Sequence, residues 1–182
     1  AGQRRLAEVG ETLAGLGARF GQNVLADERD YLLLLEDEAE LAGLSEDLRA
    51  AMAAVAEDLG HEGKYAVTLS RSIIEPFLAS SERRDLRETA FRAWTARGAK
   101  GGATDNAALI SEIIALRTEK AALLGYESYA AYKLDDTMAK TPEAVEALLG
   151  DVWNRAVKSA DSDRAELAKL IAEEGGNHEV AA

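Results

Sequence analysis

The sequence has no cysteine and only two histidines, His61 and His178, so thiolate chemistry is closed to it and imidazole ligands are scarce. No disulfide framework can form, which fits a reducing cytoplasm. Proline occurs only at Pro76 and Pro142, and aromatics make up 5%. No apolar run approaches the ~18 residues of a membrane span. The opening residues, AGQRRLAEVG, lack the apolar stretch of a secretory leader. They also lack an initiator methionine, as expected of a chain that begins partway into its gene. Positive charge is short too: 21 Lys and Arg stand against 33 Asp and Glu, a net −12. That balance repels a polyanion. The densest basic group, Arg83, Arg84 and Arg87, alternates with Glu82, Asp85 and Glu88, the pattern of a solvated helix face. Neither nucleic acid nor a membrane is expected as a partner.

What remains is helix-forming material, rich in Ala, Leu, Glu and Arg. Its 182 residues suit one domain, or one piece of a larger protein. Leu6, Val9, Leu13, Leu16, Phe20 and Val24 recur every three or four residues, which predicts a helix to about Asp27. Gly10, Gly15, Gly17 and Gly21 weaken it by up to ~1 kcal/mol each. YLLLL (31–35) and KYAVTL (64–69) read as strands that pair into a ribbon. Such a ribbon must lie on helices to be stable. Asp37 with Glu40 reads as a capping box. Ser45 caps a helix whose inner stripe is Leu48, Met52, Val55 and Leu59. After Pro76 a short helical segment ends near Ser80, and a helix over 81–97 presents Leu86, Phe91 and Trp94. Thr104 or Asp105 starts an apolar helix with Leu109, Ile110, Ile113, Ile114, Leu116, Leu123 and Leu124. A tyrosine-rich helix follows Gly125. Thr141-Pro142-Glu143 opens the last helix, which runs to about Glu173. The fold class is mainly α, a multi-helix domain over 1–182 with one short two-stranded ribbon.

Chemistry is harder to find. His61-Glu62-Gly63-Lys64-Tyr65 begins like the zinc motif H-E-x-x-H, but Tyr65 stands where the second histidine belongs. Gly60 and Gly63 place it in a turn, whereas the motif needs a helix. Glu57 lies four residues before His61, and Glu174 four before His178, so neither makes the Glu-x-x-His pair of a di-metal bundle. Asp135-Asp136 and Asp161 with Asp163 lack the spacing of a calcium loop. Lys100-Gly101-Gly102 lacks the rest of a phosphate loop. Tyr126, Tyr129 and Tyr132 share a spacing of three, which predicts ring packing with hydroxyls at the rim. No catalytic, cofactor-binding or metal-binding residue is assigned.

Several long stretches nevertheless form an ordered pattern: RFGQNVLADE (19–28), ELAGLSEDLRAA (40–51), GKYAVTL (63–69) and IIEPFLASSERRDLRETAFRAWTARG (73–98). The longest is DNAALISEIIALRTEKAALLGYESYAAYKLDDTMAKTPEAVEALL (105–149). From about Arg4 to Asn177 the chain resembles the thimet oligopeptidase family of zinc metallopeptidases, most closely its bacterial peptidyl-dipeptidase branch. The resemblance implies part of a neurolysin-like fold and a share in hydrolysing short peptides. It implies zinc in the parent enzyme, held by H-E-x-x-H and a downstream glutamate in a catalytic region outside this chain. HEGKY does not align with that motif, so no zinc is expected on this chain and the chain alone is expected to be inactive. The region looks like the helical wall of a channel, with the catalytic region as its partner and the cytoplasm as its place. Such a piece should leave an apolar face uncovered. The competing readings are a stand-alone helical binding or adaptor module without catalysis, and an unrelated metal-dependent bundle.

Overall fold

A computed structural model describes residues 2–176 and 179–180; His178 lies outside the described residues. Seven α-helices and a two-stranded sheet are found among them. The chain divides into two compact units, residues up to Arg117 and residues from Thr118 onward, with the boundary inside the helix Ala107–Leu123.

The first unit begins with α1 (Gly2–Asp30), which runs through Gly10, Gly15, Gly17 and Gly21 and three residues past the expected end. Leu6, Leu13, Leu16 and Val24 are half-buried and Val9 is fully buried, as their spacing predicts, while Phe20 is 37% exposed. The ribbon is β1 (Leu33–Leu35) paired antiparallel with β2 (Tyr65–Val67), Leu34 opposite Ala66. Both strands are shorter than the runs 31–35 and 64–69. Between them lie a 3-10 turn (Glu38–Leu41) and α2 (Glu46–Asp58). The return half of the capping box is made: the Glu40 carboxylate accepts from the Glu36 N–H at 2.8 Å and the Asp37 N–H at 3.2 Å. Those backbone donors hold the Glu40 carboxyl below the usual range. Ser45 caps α2 by accepting from the Leu48 N–H at 3.3 Å.

Helix α2 buries Leu48, Met52 and Ala56, not the expected Leu59, which is 52% exposed. Leu59 is the C-cap, followed by Gly60 at φ +81°, so the chain turns away before Leu59 can reach the core. Helix α3 (Arg71–Ser80) corrects a second expectation, because Pro76 lies inside it rather than before it. An interior proline removes one i→i−4 hydrogen bond and costs ~3 kcal/mol or more. Ile73, Ile74 and Phe77, all buried on this helix, offset that cost; each fully buried side chain contributes ~1.5–3 kcal/mol. Helix α4 (Arg84–Thr95) starts three residues later than 81, with the Ser81 hydroxyl accepting from the Arg83 N–H at 3.2 Å. Its inner positions are Leu86, Ala90, Ala93 and Trp94. Phe91 is 49% exposed, since a residue five after Leu86 lies about 140° round the helix. The core gathers Leu35, Leu41, Met52, Val67, Leu69, Ile74 and Phe77 between the ribbon and helices α2 to α4.

Helix α5 (Ala107–Leu123) crosses the boundary between units. Leu109 is buried, but Ile110 and Ile114 are exposed. The second unit continues with α6 (Tyr129–Leu134) and α7 (Pro142–Glu173). The start of α7 is as its sequence predicts: Pro142 at the first helical position, and Thr141 accepting from the Ala144 N–H at 3.2 Å. Gly175 at φ +79° ends it, with the Gly176 N–H on the Ile171 carbonyl at 2.7 Å.

Gly43 is the tightest glycine. At φ +83°, a Cβ there would stand 2.2 Å from the Ser80 carbonyl oxygen. Gly43→Ala should therefore lower stability by roughly 1–3 kcal/mol. Chemical denaturation of both proteins reads the change, and equal midpoints would contradict the close approach.

Candidate functional site

HEGKY lies where its glycines predict. The His61 N–H bonds the Ala56 carbonyl at 2.8 Å, the Lys64 N–H bonds the His61 carbonyl at 3.2 Å, and Tyr65 opens β2. Gly60 and Gly63 both have positive φ, so this is a turn and not a helix. Lys64 is paired with Glu36 across the ribbon at 2.5 Å. The other acidic candidates lie apart. Asp135 accepts from the Tyr126 hydroxyl at 2.9 Å, and Asp161 and Asp163 are exposed on α7. Among the described residues, no group of three His, Cys, Asp or Glu side chains could hold a metal ion. These residues therefore do not fit a catalytic zinc, and no hydrolytic step is assigned to them.

Lys100-Gly101-Gly102 is committed to internal carboxylates. The Gly101 N–H donates to Asp105 at 2.9 Å, and Lys100 Nζ stands 3.7 Å from Asp27. A phosphate would meet occupied donors beside two negative charges. The basic group on α4 is also largely engaged. Arg83 grips Asp85 with two bonds of 3.0 and 2.7 Å, Arg87 donates to the Ser81 carbonyl, and Arg84 is exposed beside Leu78 and Phe91 in an open depression of about 430 Å³.

The three tyrosines do meet, but not as one helix face. Tyr126 precedes α6, which begins at Tyr129 behind the Ser128 cap. Its ring nonetheless lies 5.4 Å from that of Tyr132, which is 5.8 Å from that of Tyr129. Lys120 and Lys133 approach the Tyr132 ring at 5.6 and 5.8 Å. Asp135 raises the Tyr126 phenol above its ordinary value by accepting its proton in a hydrogen bond. The cluster is an aromatic lock within the second unit.

The most organised polar site in the chain is one that the sequence patterns did not reveal. Asp27, 5% exposed at the end of α1, accepts from the Gly98 N–H at 2.7 Å and the Thr104 hydroxyl at 2.8 Å. The Gly98 N–H holds its carboxyl below the usual range against the opposing effect of burial, with help from Thr104 and Lys100. Asn106, 1% exposed, accepts from Asn23 Nδ2 at 2.8 Å and donates to the Phe20 carbonyl at 3.3 Å. Its own N–H closes the loop on the Gly98 carbonyl at 2.8 Å. Glu28 pairs with Arg97, whose guanidinium lies 5.5 Å from the Trp94 ring centre. A visible signal was available: Phe20, Asn23, Val24 and Asp27 share one helix face, so two polar residues sit within an inward stripe. The clasp ties α1 to the loop between α4 and α5. Its Asp27 and Asn106 side chains find partners within it, while the buried Trp94 indole N–H beside it has no hydrogen-bond partner among the described residues.

The large apolar side chains left uncovered are concentrated on α7. None of its residues is buried, and Leu148, Leu149, Val152 and Trp153 are 67%, 59%, 53% and 69% exposed. The uncovered face expected of a piece of a larger protein is thus present.

Comparison with known proteins gives this chain its family. A model described as peptidase family M3 matches residues 77–182, and the chain belongs to that family. Oligopeptidase A from Salmonella typhimurium is 36% identical over 98% of this chain, and so is oligopeptidase A from Escherichia coli. Dipeptidyl carboxypeptidase from Escherichia coli is 33% identical over 97% of it, so relatives of the expected peptidyl-dipeptidase branch are among them. The chain spans 27% of the length of the two oligopeptidases and 26% of the third relative. No described helix is long and apolar enough to cross a membrane.

Asp27→Ala should cost about 1–3 kcal/mol, because it strands the Gly98 N–H and the Thr104 hydroxyl. The depressed carboxyl adds a pH signature. Its contribution is complete above the unfolded aspartate value of ~3.9 and is lost as pH falls through the lower folded value. Melting temperatures from pH 7 downward should converge for the two proteins below that range. Parallel curves would contradict the clasp.

Proposed function

We propose that this chain is a helical, channel-wall portion of a larger zinc-dependent oligopeptidase that hydrolyses short peptides in the cytoplasm. One observation carries the reading: peptidases match it along almost its whole length, yet it covers about a quarter of theirs. In this reading the 182 residues build a wall that shapes the path of a peptide. The zinc ligands and the general base come from sequence outside them. Zinc supplies polarisation of the scissile carbonyl and acidification of a bound water in such enzymes. Helix α5, apolar on more than one side, and helix α7 are then interior elements of the parent enzyme, which explains why they are rich in leucine and isoleucine while facing solvent here.

The alternative of a stand-alone binding module predicts that the same apolar surfaces serve a separate partner and that the gene lacks a zinc motif. Reading the gene around the coding segment separates the two: an in-frame H-E-x-x-H supports the peptidase portion. The purified chain itself should leave internally quenched short peptides uncleaved, with or without added zinc. Chelator-sensitive turnover that persists through repeated purification would overturn the assignment of catalysis to sequence elsewhere.

A further inference from the structure

We propose that the depression between α3 and α4 binds a small organic acid, one that joins a carboxylate to a compact apolar body and carries no ammonium beside it. The site uses only residues of the first unit and does not depend on the peptidase reading.

Spacing along α4 builds one side of the site. Arg84, Arg87, Glu88 and Phe91 stand at i, i+3, i+4 and i+7, so they share one face of the helix. Phe91, the aromatic that misses the core, is 49% exposed on that face. Leu78, on α3, supplies the other wall. Together these five residues line a volume of about 430 Å³, ample for a phenyl ring on a short carboxylate arm. Leu78 and Phe91 make part of it apolar, and two guanidinium groups stand beside them.

The surrounding charges leave those two cations uncancelled. Asp85 is held by Arg83 through bonds of 3.0 and 2.7 Å, Glu88 accepts from Arg92 at 2.9 and 2.6 Å, and Glu75 pairs with Arg71 at 2.9 Å. Glu82 lies against Gly43. Arg84 is exposed and has no hydrogen-bond or ion-pair partner among the described residues. Arg87 spends one donor on the Ser81 carbonyl, and a guanidinium has five. That bond anchors the Arg87 head at the turn between α3 and α4, while Arg84 is free to close on a ligand from solvent. In a chain of net −12 such a pair is an exception.

The lining selects the ligand. Guanidinium groups grip a carboxylate through parallel N–H bonds. The apolar surface of Leu78 and Phe91 is covered only if the anion carries an apolar body; an inorganic anion would leave it wet. An ammonium beside the carboxylate is disfavoured, because Glu88 is already neutralised by Arg92 and the remaining lining charges are positive. The lining also offers no other side-chain acceptor for the backbone N–H groups of a peptide, so a free acid fits better than a peptide's last residue.

The probe is hydrocinnamate, titrated into the full 182-residue chain and followed by saturation-transfer NMR. The expected result is saturable binding, with hydrocinnamamide and phenylalanine bound more weakly. Arg84→Gln and Phe91→Gln should each weaken hydrocinnamate binding by roughly tenfold. Arg4→Gln, which removes the same charge from α1, should leave it unchanged. Both side chains of the site are exposed, and helical circular dichroism checks that the variants remain folded. Absence of saturable binding would overturn the site, as would indifference to either variant on α4. Equal weakening by Arg4→Gln would overturn it in favour of net charge alone. Equal binding of the amide would remove the carboxylate from the assignment. Tighter binding of N-acetylphenylalanine than of hydrocinnamate would overturn the free acid in favour of a peptide's last residue.

Discussion

Burial of apolar surface around Phe77 is the constraint on which the first unit depends. Phe77 is inaccessible to solvent, and so are Leu35, Met52, Val67, Leu69 and Ile74 in the same cluster. These residues come from both strands of the ribbon and from helices far apart in sequence. The ribbon has only three residues per strand and would not persist without that packing. The same packing tolerates a proline inside α3 and leaves Gly43 pressed against the end of that helix. Polar contacts at the edges then fix details: the Ser45 cap, the Glu40 carboxylate, and the Asp27 clasp that joins α1 to a distant loop.

The second unit follows a different rule. Its helices are well started and well ended, by Ser128, Thr141 and Gly175, yet none of the described residues of α6 or α7 is buried. Local capping alone contributes about 1 kcal/mol per site, which is small beside the burial available around Phe77. Most helical stability in proteins comes from packing of an apolar face. The 32-residue α7, with its solvent-facing tryptophan, draws no such burial from the described residues.

Much of this was legible in the sequence, and the reasons differ from place to place. The helix starts at Ser45 and Pro142 and the end of the last helix near Glu173 were readable because such signals are local. The ribbon was readable because KYAVTL alternates and holds Val and Thr, while YLLLL is a short apolar run opened by a tyrosine. The placement of Pro76 was not, because tertiary burial of Ile73, Ile74 and Phe77 overrode local preference. Leu59 and Phe91 were misplaced because a helix boundary or an angle of 140° decides which side a residue faces. The Asp27 and Asn106 clasp stayed hidden because its partners are about 70 to 85 residues apart. As for chemistry, the scarcity of histidine and cysteine was informative at once. The family emerged from long ordered stretches and not from a short motif.

The central claim is that a closed core and an uncovered helix coexist in this chain. The chain has two tryptophans, and they sit on opposite sides of that division: Trp94 is packed against the core, while Trp153 is 69% exposed. Acrylamide quenching of single-tryptophan variants, Trp94→Phe and Trp153→Phe, measures the difference directly. The account predicts that Trp153 in the isolated monomer is quenched nearly as readily as free tryptophan, and Trp94 much less. Equal protection of the two would contradict it.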